Sequence, residues 1–417
     1  MKFCAGMDWS DAALDYELGG PDGSVLVEGQ VTPNVEGLAE LFARLEAHAP
    51  AGEIGIAIET THGPWVQALL DRGFVVYPVN PKTADHFRKA LSASGDKSDS
   101  IDKHVLAVFL RSCHRELRPL KPDDPAIIAL RIACEDRLRL VEERTAKLNE
   151  LNAALKMYYP AALGLFGNLE SQISLTFLVD YPTQSQMRKL EARHFKNWLR
   201  KHQYNHPGRV AEMIAALSQP VLPVPAHLQE AKAGRIVYLA RSVRALTKEI
   251  AQRDDRIGGQ FALLPESDWI SSLPRAGKVL GPALLACVGR DVQRFANVNE
   301  ARSLMGTAPV TQSSGRSRVV YMRRACWKFA RRTLQLFAEQ TRRCCAWAME
   351  FYQRQRASGH GHHAALRALA HKWLKIILAM QRSGTRYDEA RFTHSRERYL
   401  LNARTRSSQT LILEGRV

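Results

Sequence analysis

Short apolar runs and amphipathic stretches alternate over the first 112 residues. Apolar positions that alternate or run together over a few residues predict strands, and apolar positions three and four apart predict helices. The order is three strands in succession, then strands alternating with helices, which indicates an α/β domain with a mixed sheet. The predicted strands are 3–8, 12–18, 24–30, 54–58 and 74–79, and the predicted helices are 34–48, 63–72, 82–92 and 99–111.

The pattern becomes helical between about residues 125 and 260. Two apolar series in this region follow the heptad period of helices that pack along their length. The sequence leaves open whether the two helices pair with each other or with a second subunit. The first series is Leu138, Val141, Leu148, Leu151 and Leu155, and the second is Ile236, Leu239, Val243, Leu246 and Ile250.

These changes of pattern divide the chain into domains. An irregular lobe interrupts the helical region, and we expect one basic helix from Arg188 to Lys201 within it. A third, mostly helical region starts near residue 265 and contains a glycine-rich turn at 273–282. The predicted domains are 1–122 (α/β), 123–262 (helical coiled coil, with the basic lobe at 161–224), 263–398 (C-terminal domain) and 399–417 (tail).

The net charge of the chain indicates which class of molecule it binds. The 417 residues include 59 Lys and Arg against 42 Asp and Glu, a net charge of +17. Such a surplus is typical of proteins that bind nucleic acid. No apolar run approaches the ~18–20 residues of a membrane span, so we expect no membrane partner. The seven cysteines show no CxxC spacing, which favours reduced thiols in a cytosolic protein.

Four acidic residues are the first candidate site. Asp8 ends the first predicted strand, and Glu59 directly follows the apolar run 54–58. Asp99 and Asp102 are three apart at the start of a predicted helix, so they share a face. Carboxylate oxygens suit Mg²⁺, and neighbouring carboxylates repel one another without a cation. The pattern favours a divalent-metal phosphoryl-transfer site, with solvated surface acids as the alternative.

Ser314 and the basic stretch after it are the second candidate. Ser314 precedes Gly315 in a predicted turn, and a serine hydroxyl needs a base, a metal or a cationic setting to act as a nucleophile. Arginine forks clamp phosphates, and aromatic rings interleaved among them can stack on bases or pack as core. Alternatively, the turn at Ser314 has no catalytic role, and the basic stretch is a helix whose charges face solvent. The predicted nucleic-acid contacts are Arg316, Arg318, Arg323, Arg324, Lys328, Arg331 and Arg332, with Lys278 in the glycine-rich turn.

Together these motifs resemble insertion-sequence transposases that pair a DEDD RuvC-like domain with a C-terminal serine domain, a group that includes Piv-type invertases and bridge-RNA-guided recombinases. The resemblance covers about residues 1–395. One departure is Arg275, where the family more often has glycine. The matching motifs are GMDW at Asp8, AIETTHG at Glu59, KSDSID at Asp99 and Asp102, LPRAG, RFAN, GTAPVTQSSGRS at Ser314, MRRAC, YQRQRASG, ALRALAHKW and YDEA.

The resemblance implies a ribonuclease-H-like fold for the first domain and a DNA recombinase activity for the whole chain. It implies that Asp8, Glu59, Asp99 and Asp102 hold Mg²⁺, with Mn²⁺ as the alternative ion. Ser314 would attack the scissile phosphate and form a covalent phosphoserine link. The implied partners are donor and target DNA, a structured non-coding bridge RNA, and further copies of the chain in a dimer or tetramer.

Two other functions remain open on the sequence. One is a metal-dependent nuclease similar to a Holliday-junction resolvase, which uses the four acids and water and leaves Ser314 structural. The other is a non-catalytic nucleic-acid-binding protein derived from a transposase. A change at Ser314 separates the first from a recombinase, and changes at Asp8 and Glu59 separate the second.

Overall fold

The structure is a computed structural model. It describes residues 2–390 except 62, 92–98, 122, 205, 221 and 316, and for Asp99 and Ser100 it describes the backbone alone. The chain divides into two compact units, residues 1–122 and 123–417. The predicted tail, 399–417, lies outside the described residues.

The first unit is built on a five-stranded mixed sheet, as predicted. The strand order is β3-β2-β1-β4-β5. The first three strands pair antiparallel, while β4 runs parallel to both β1 and β5. The strands are β1 (Phe3–Trp9), β2 (Leu14–Gly19), β3 (Val25–Val31), β4 (Ile54–Ile58) and β5 (Val75–Pro78).

Four helices accompany this sheet, and their ends follow local sequence signals. The Asn34 side chain accepts a hydrogen bond from the Gly37 N–H and caps the first helix. Pro64 begins the second, and Gly73 ends it with a left-handed φ of 96°. All five residues of β4 are buried, which explains their unbroken apolar run. The helices are α1 (Val35–Glu46), α2 (Pro64–Arg72), α3 (Pro81–Leu91) and α4 (Asp99–Cys113).

Helix α4 lies directly on β1 and β2. A Cβ atom at Gly6 would be 1.9 Å from the Lys103 carbonyl oxygen, so only glycine permits this approach. The buried Lys103 ammonium pairs with Glu28 at 2.9 Å, and the His104 ring contacts the buried Glu17 carboxylate at 2.8 Å. These contacts fix the position of α4 on the sheet, and with it the position of Asp102.

Two long antiparallel helices, α5 (Pro125–Tyr158) and α11 (Ala226–Ala262), form the centre of the second unit. Arg137 pairs with Asp254 near one end, and Arg235 pairs with Glu150 toward the other. The heptad positions Leu151 and Val243 are fully buried. The two predicted apolar seams therefore pack against each other within one chain.

The lobe between these helices is helical, and it shares one apolar core with α5 and α11. The prediction of one basic helix from Arg188 to Lys201 is wrong. One helix ends at Arg188, the backbone turns at Leu190, and the extended Glu191 begins the next. Leu190 packs against the lobe core through this turn. The lobe helices are α6 (Ala161–Leu165), α7 (Gln172–Asp180), α8 (Gln184–Arg188), α9 (Ala192–Lys201) and α10 (Pro207–Leu217).

The C-terminal part is mostly helical, as predicted, but it also contains a two-stranded ribbon that the sequence analysis missed. Trp373 is fully buried at the centre of its core. No helix among the described residues is long and apolar enough to cross a membrane. The elements are α12 (Ser267–Ser271), α13 (Leu280–Val288), α14 (Val298–Leu304), β6 (Val310–Ser314), β7 (Ser317–Tyr321), α15 (Lys328–Thr341), α16 (Ala346–Ala357) and α17 (His362–Ser383).

Arg275, in the glycine-rich turn, has a left-handed backbone with φ of 62°. A residue with a Cβ atom is strained in this conformation, by roughly 1–2 kcal/mol. We expect Arg275→Gly to raise the free energy of unfolding by about 1 kcal/mol, measured by urea unfolding. Lys278→Gly is the control, because Lys278 does not have a positive φ and a glycine there relieves no such strain. Equal or lower stability of Arg275→Gly would show that the strain is relieved elsewhere.

Candidate active site

Three of the four predicted acids line one cleft of about 370 Å³ in the first unit: Asp8, Glu59 and Asp102. In the parallel pairing of β1 with β4, Met7 is opposite Ile58, so Asp8 and Glu59 leave neighbouring strands at the same level. Helix α4 brings Asp102 to the same cleft. The Asp99 side chain lies outside the described residues, although its backbone begins α4.

A cation from the chain itself occupies part of this cleft. The Arg88 guanidinium donates to Asp102 Oδ1 at 2.8 Å and also pairs with Asp85. The Arg88 and Asp102 side chains are only 14% and 16% exposed. The hydrogen bond to Asp102 raises the pKa of Arg88, and the hydrogen bond from Lys89 lowers the pKa of Asp85. Arg88 therefore fixes the position of the Asp102 carboxylate, which is not a mobile acid on the surface.

The sequence analysis missed Asp85 and Arg88, as well as Lys82, which also lines the cleft. The available signal was the spacing of Asp85, Arg88 and Lys89 at three and four residues on one predicted helix. Such spacing usually marks a solvated ion-pair row. These residues become part of a site only because α3 packs against α4.

The side chains of the cleft fit a hard divalent cation by their chemistry. Its candidate ligands are carboxylate oxygens, and neither histidine nor cysteine is among the described residues that line it. Within the described residues, no three His, Cys, Asp or Glu side chains are grouped closely enough to hold a metal ion as they stand. The described acids of the cleft therefore do not form a closed set of metal ligands.

Ser314 lies in the second unit, at the end of β6 and opposite Ser317 of β7. Gly315 follows it with a φ of 54°, so the predicted turn is present. Every residue of β6 after Val310, and every residue of β7, is exposed. The hydroxyl is therefore accessible on a ribbon, outside any apolar core. The β-branched residues Thr311, Val319 and Val320 were the available signal for these strands.

The predicted nucleic-acid contacts fall into four groups. Arg318, Arg324, Lys328 and Lys278 are exposed. Arg323 and Arg331 are half-buried, and Arg332 pairs with Glu142 of α5. Arg316 lies outside the described residues.

The three aromatic residues interleaved in this stretch have different surroundings. Trp327 donates its indole N–H to Glu135 at 2.8 Å, and the Arg131 guanidinium lies 5.4 Å from its ring. Phe329 is only 8% exposed. These two rings belong to the core, which was one of the alternatives left open by the sequence. Tyr321, half exposed on β7, is the one of the three that is free to stack on a base.

Comparison with known proteins agrees with this arrangement. Residues 5–160, which include the acidic cleft, match a transposase family with a DEDD domain, and residues 267–353, which include Ser314, match a second transposase family. The chain is therefore of the class of transposases with a DEDD domain, enzymes that act on DNA. It belongs to the IS116/IS110/IS902 family of transposases.

Relatives from three bacteria support the assignment. The 42 kDa protein of insertion element IS900 from Mycobacterium paratuberculosis is 30% identical over 404 residues, 93% of this chain and 98% of that protein. The mini-circle protein assigned to IS117 of Streptomyces coelicolor is 28% identical over 398 residues, 93% of this chain and 96% of its own length. The IS116 protein of Streptomyces clavuligerus is 28% identical over 313 residues, 74% of this chain and 76% of that protein.

Proposed function

We propose that this transposase cuts and rejoins DNA through a covalent phosphoserine intermediate, using Mg²⁺ in the acidic cleft and Ser314 as the nucleophile. The observation that carries the proposal is the meeting of Asp8, Glu59 and Asp102 in one cleft, in a family of transposases. The exposed position of Ser314 on the ribbon adds to it, because a nucleophile must reach the phosphate.

Asp8, Glu59 and Asp102 would hold the metal ion, with Asp99 as the fourth acid. When bound, a divalent ion supplies positive charge that polarises a phosphoryl oxygen and stabilises the leaving oxygen. Mn²⁺ offers the same oxygen coordination. Arg88 keeps Asp102 in place in the cleft through their hydrogen bond.

Ser314 forms the new bond in this scheme. Its Oγ gains a bond to the scissile phosphorus while the bond from phosphorus to a sugar oxygen breaks. The serine proton leaves with a base or solvent, and the departing sugar oxygen takes up a proton. The phosphodiester energy stays in the phosphoserine link, so a DNA hydroxyl rejoins the strand without ATP. Because cleft and serine belong to different units, one unit must deliver Ser314 to the phosphate held at the other, within one chain or between copies.

A bridge RNA and a dimeric or tetrameric assembly complete the proposal. Their support is the resemblance stated above and the net charge of +17, which suits a protein that grips nucleic-acid backbones and leaves sequence reading to base pairing. Arg318, Arg324, Lys328 and Lys278 are exposed and would contact phosphates.

Asp8→Asn tests the metal part of the proposal. With DNA carrying the ends of the element, we expect strand cleavage to fall at least about 100-fold, because removal of one ligand charge weakens the ion that stabilises the transition state. DNA affinity should change little. Cleavage is measured on labelled strands with Mg²⁺, Mn²⁺ or EDTA. Asp11→Asn, an exposed neighbour, is the control and should cleave normally. Cleavage by Asp8→Asn at the control's rate, or by the parent chain in EDTA, would remove the metal from the mechanism.

A further inference from the structure

A group of cationic side chains lies at the open end of the β6–β7 ribbon, beside the turn that leads into β6. We call this group the basic cluster. It combines side chains from α14, from the segment after β7, from α15 and from α17. Its members are Arg302, Arg323, Arg331, Arg367 and His371.

Hydrogen bonds and close packing join three of the members at one place in the fold. The Arg302 carbonyl oxygen accepts from the N–H groups of Thr307 and Ala308, at 2.9 and 3.0 Å, in the turn before β6. Arg331 donates to the Arg323 carbonyl oxygen at 3.1 Å. Its Cδ atom packs so close to Gly306 that a Cβ there would lie 3.0 Å away. Residue 306 has a φ of 65°, so it also needs glycine for its backbone.

Helix α17 completes the cluster with two residues one turn apart. Burial and then the charge of Arg331 lower the pKa of Arg367. Burial, followed by the charges of Arg302, Lys375 and Lys372, lowers the pKa of His371 to about 4. Helix α17 also packs against both α14 and α15, so the half-buried Arg367 and His371 lie on the helix that adjoins those of Arg302 and Arg331.

The cluster has no carboxylate partner in the part of the chain that the structure describes. None of its four arginines is ion-paired with a carboxylate there. Of the six buried side-chain N and O atoms without a hydrogen-bond partner among the described residues, three belong to it: Arg302 Nε, Arg323 Nε and His371 Nδ1. Unpaired charges and orphaned polar atoms are costly to bury, and an anion with several acceptor oxygens would satisfy them together.

We propose that the basic cluster binds a backbone phosphate of the DNA strand that Ser314 attacks, a few nucleotides from the scissile phosphate. Along β6, four residue steps separate Val310 from Ser314. At about 3.3 Å per step this is ~13 Å, which corresponds to about four nucleotides at 3.4 Å per nucleotide along the duplex axis. Exposed Arg318 lies on the ribbon opposite Ser313, and exposed Arg324 follows β7 beyond the open end of the ribbon. The inference rests on the proposed function for its position on the strand.

The first experiment uses inorganic phosphate as the probe and the full chain without DNA. Arg367→Gln is compared with Arg382→Gln, an exposed arginine on the same helix. We expect the melting temperature of the parent and of Arg382→Gln to rise with phosphate, relative to chloride at equal ionic strength, and that of Arg367→Gln not to rise. Without phosphate, Arg367→Gln should melt higher than the parent, because it relieves repulsion. A lower melting temperature together with an intact phosphate response would show a merely structural arginine and overturn the proposal.

The second experiment measures DNA affinity on the Ser314→Ala background, where no cleavage can occur by the proposed route. Arg302→Gln and Arg367→Gln should each reduce the slope of log affinity against log salt by about 0.9, and Arg382→Gln should not. A neutral methylphosphonate placed about four nucleotides from the cut site should weaken binding of the Ser314→Ala chain and have no further effect with Arg367→Gln. Unchanged slopes, or an effect confined to RNA, would overturn the inference. These readouts need no covalent adduct, so their failure is distinguishable from failure of the serine mechanism.

Discussion

Ser314→Ala is expected to abolish the covalent protein–DNA adduct. If the Ser314 Oγ forms the bond to phosphorus, its loss removes the step itself, and we expect rejoining to fall by at least about 1,000-fold. The ribbon should keep its shape, because Ser314 is exposed and its β pairing uses backbone groups. The measurement is denaturing electrophoresis of labelled DNA after incubation with Mg²⁺, with and without protease.

Ser313→Ala is the matched control for this change. It removes the same hydroxyl from the preceding residue of β6, whose side chain points to the opposite face of the ribbon. We expect Ser313→Ala to form the adduct and to rejoin strands. An adduct that survives in Ser314→Ala would take this serine out of the mechanism. Cleaved but unlinked DNA in the parent chain would favour the water-using nuclease similar to a Holliday-junction resolvase.

Gly6→Ala is expected to have the largest effect on stability. The new Cβ atom would lie 1.9 Å from the Lys103 carbonyl oxygen and 2.6 Å from the Ala107 nitrogen. Both are backbone atoms of α4, so no side-chain rotation relieves the clash and the helix must move. We expect the free energy of unfolding to fall by about 3 kcal/mol or more, measured by urea unfolding.

Gly6→Ala should also change the geometry of the acidic cleft. Displacement of α4 moves Asp102 relative to Asp8 and Glu59, so any folded Gly6→Ala protein should lose strand cleavage as well. Gly52→Ala is the control, because a Cβ atom there meets nothing within 4 Å. Parent-like stability of Gly6→Ala would mean that α4 lies farther from β1 than the structure places it.

The sheet and its order of elements were predictable because buried strands are recognisable as runs of apolar residues. Strand β4 is apolar at all five positions since both faces are covered, and β1 to β3 are set apart by turn residues. The predicted ends of β1 and β4 differ from the observed ends by at most one residue. The positions of Asp8 and Glu59 follow directly, because they are set by where these strands end.

The remaining features depend on tertiary contacts that leave little trace in the chain. The ribbon that carries Ser314 is exposed on both faces, so no apolar alternation marks its strands. The break at Leu190 lies within a polar stretch that suits one helix equally well until packing intervenes. The contact of Arg88 with Asp102 joins residues 14 apart across two helices, and helical spacing alone does not reveal it.

The guanidinium lodged between Asp85 and Asp102 has a consequence for how the enzyme matures. Part of the negative charge in the cleft is balanced by the chain's own side chain as soon as α3 and α4 meet. We therefore expect the first unit to fold without the proposed metal ion and to bind that ion only afterwards.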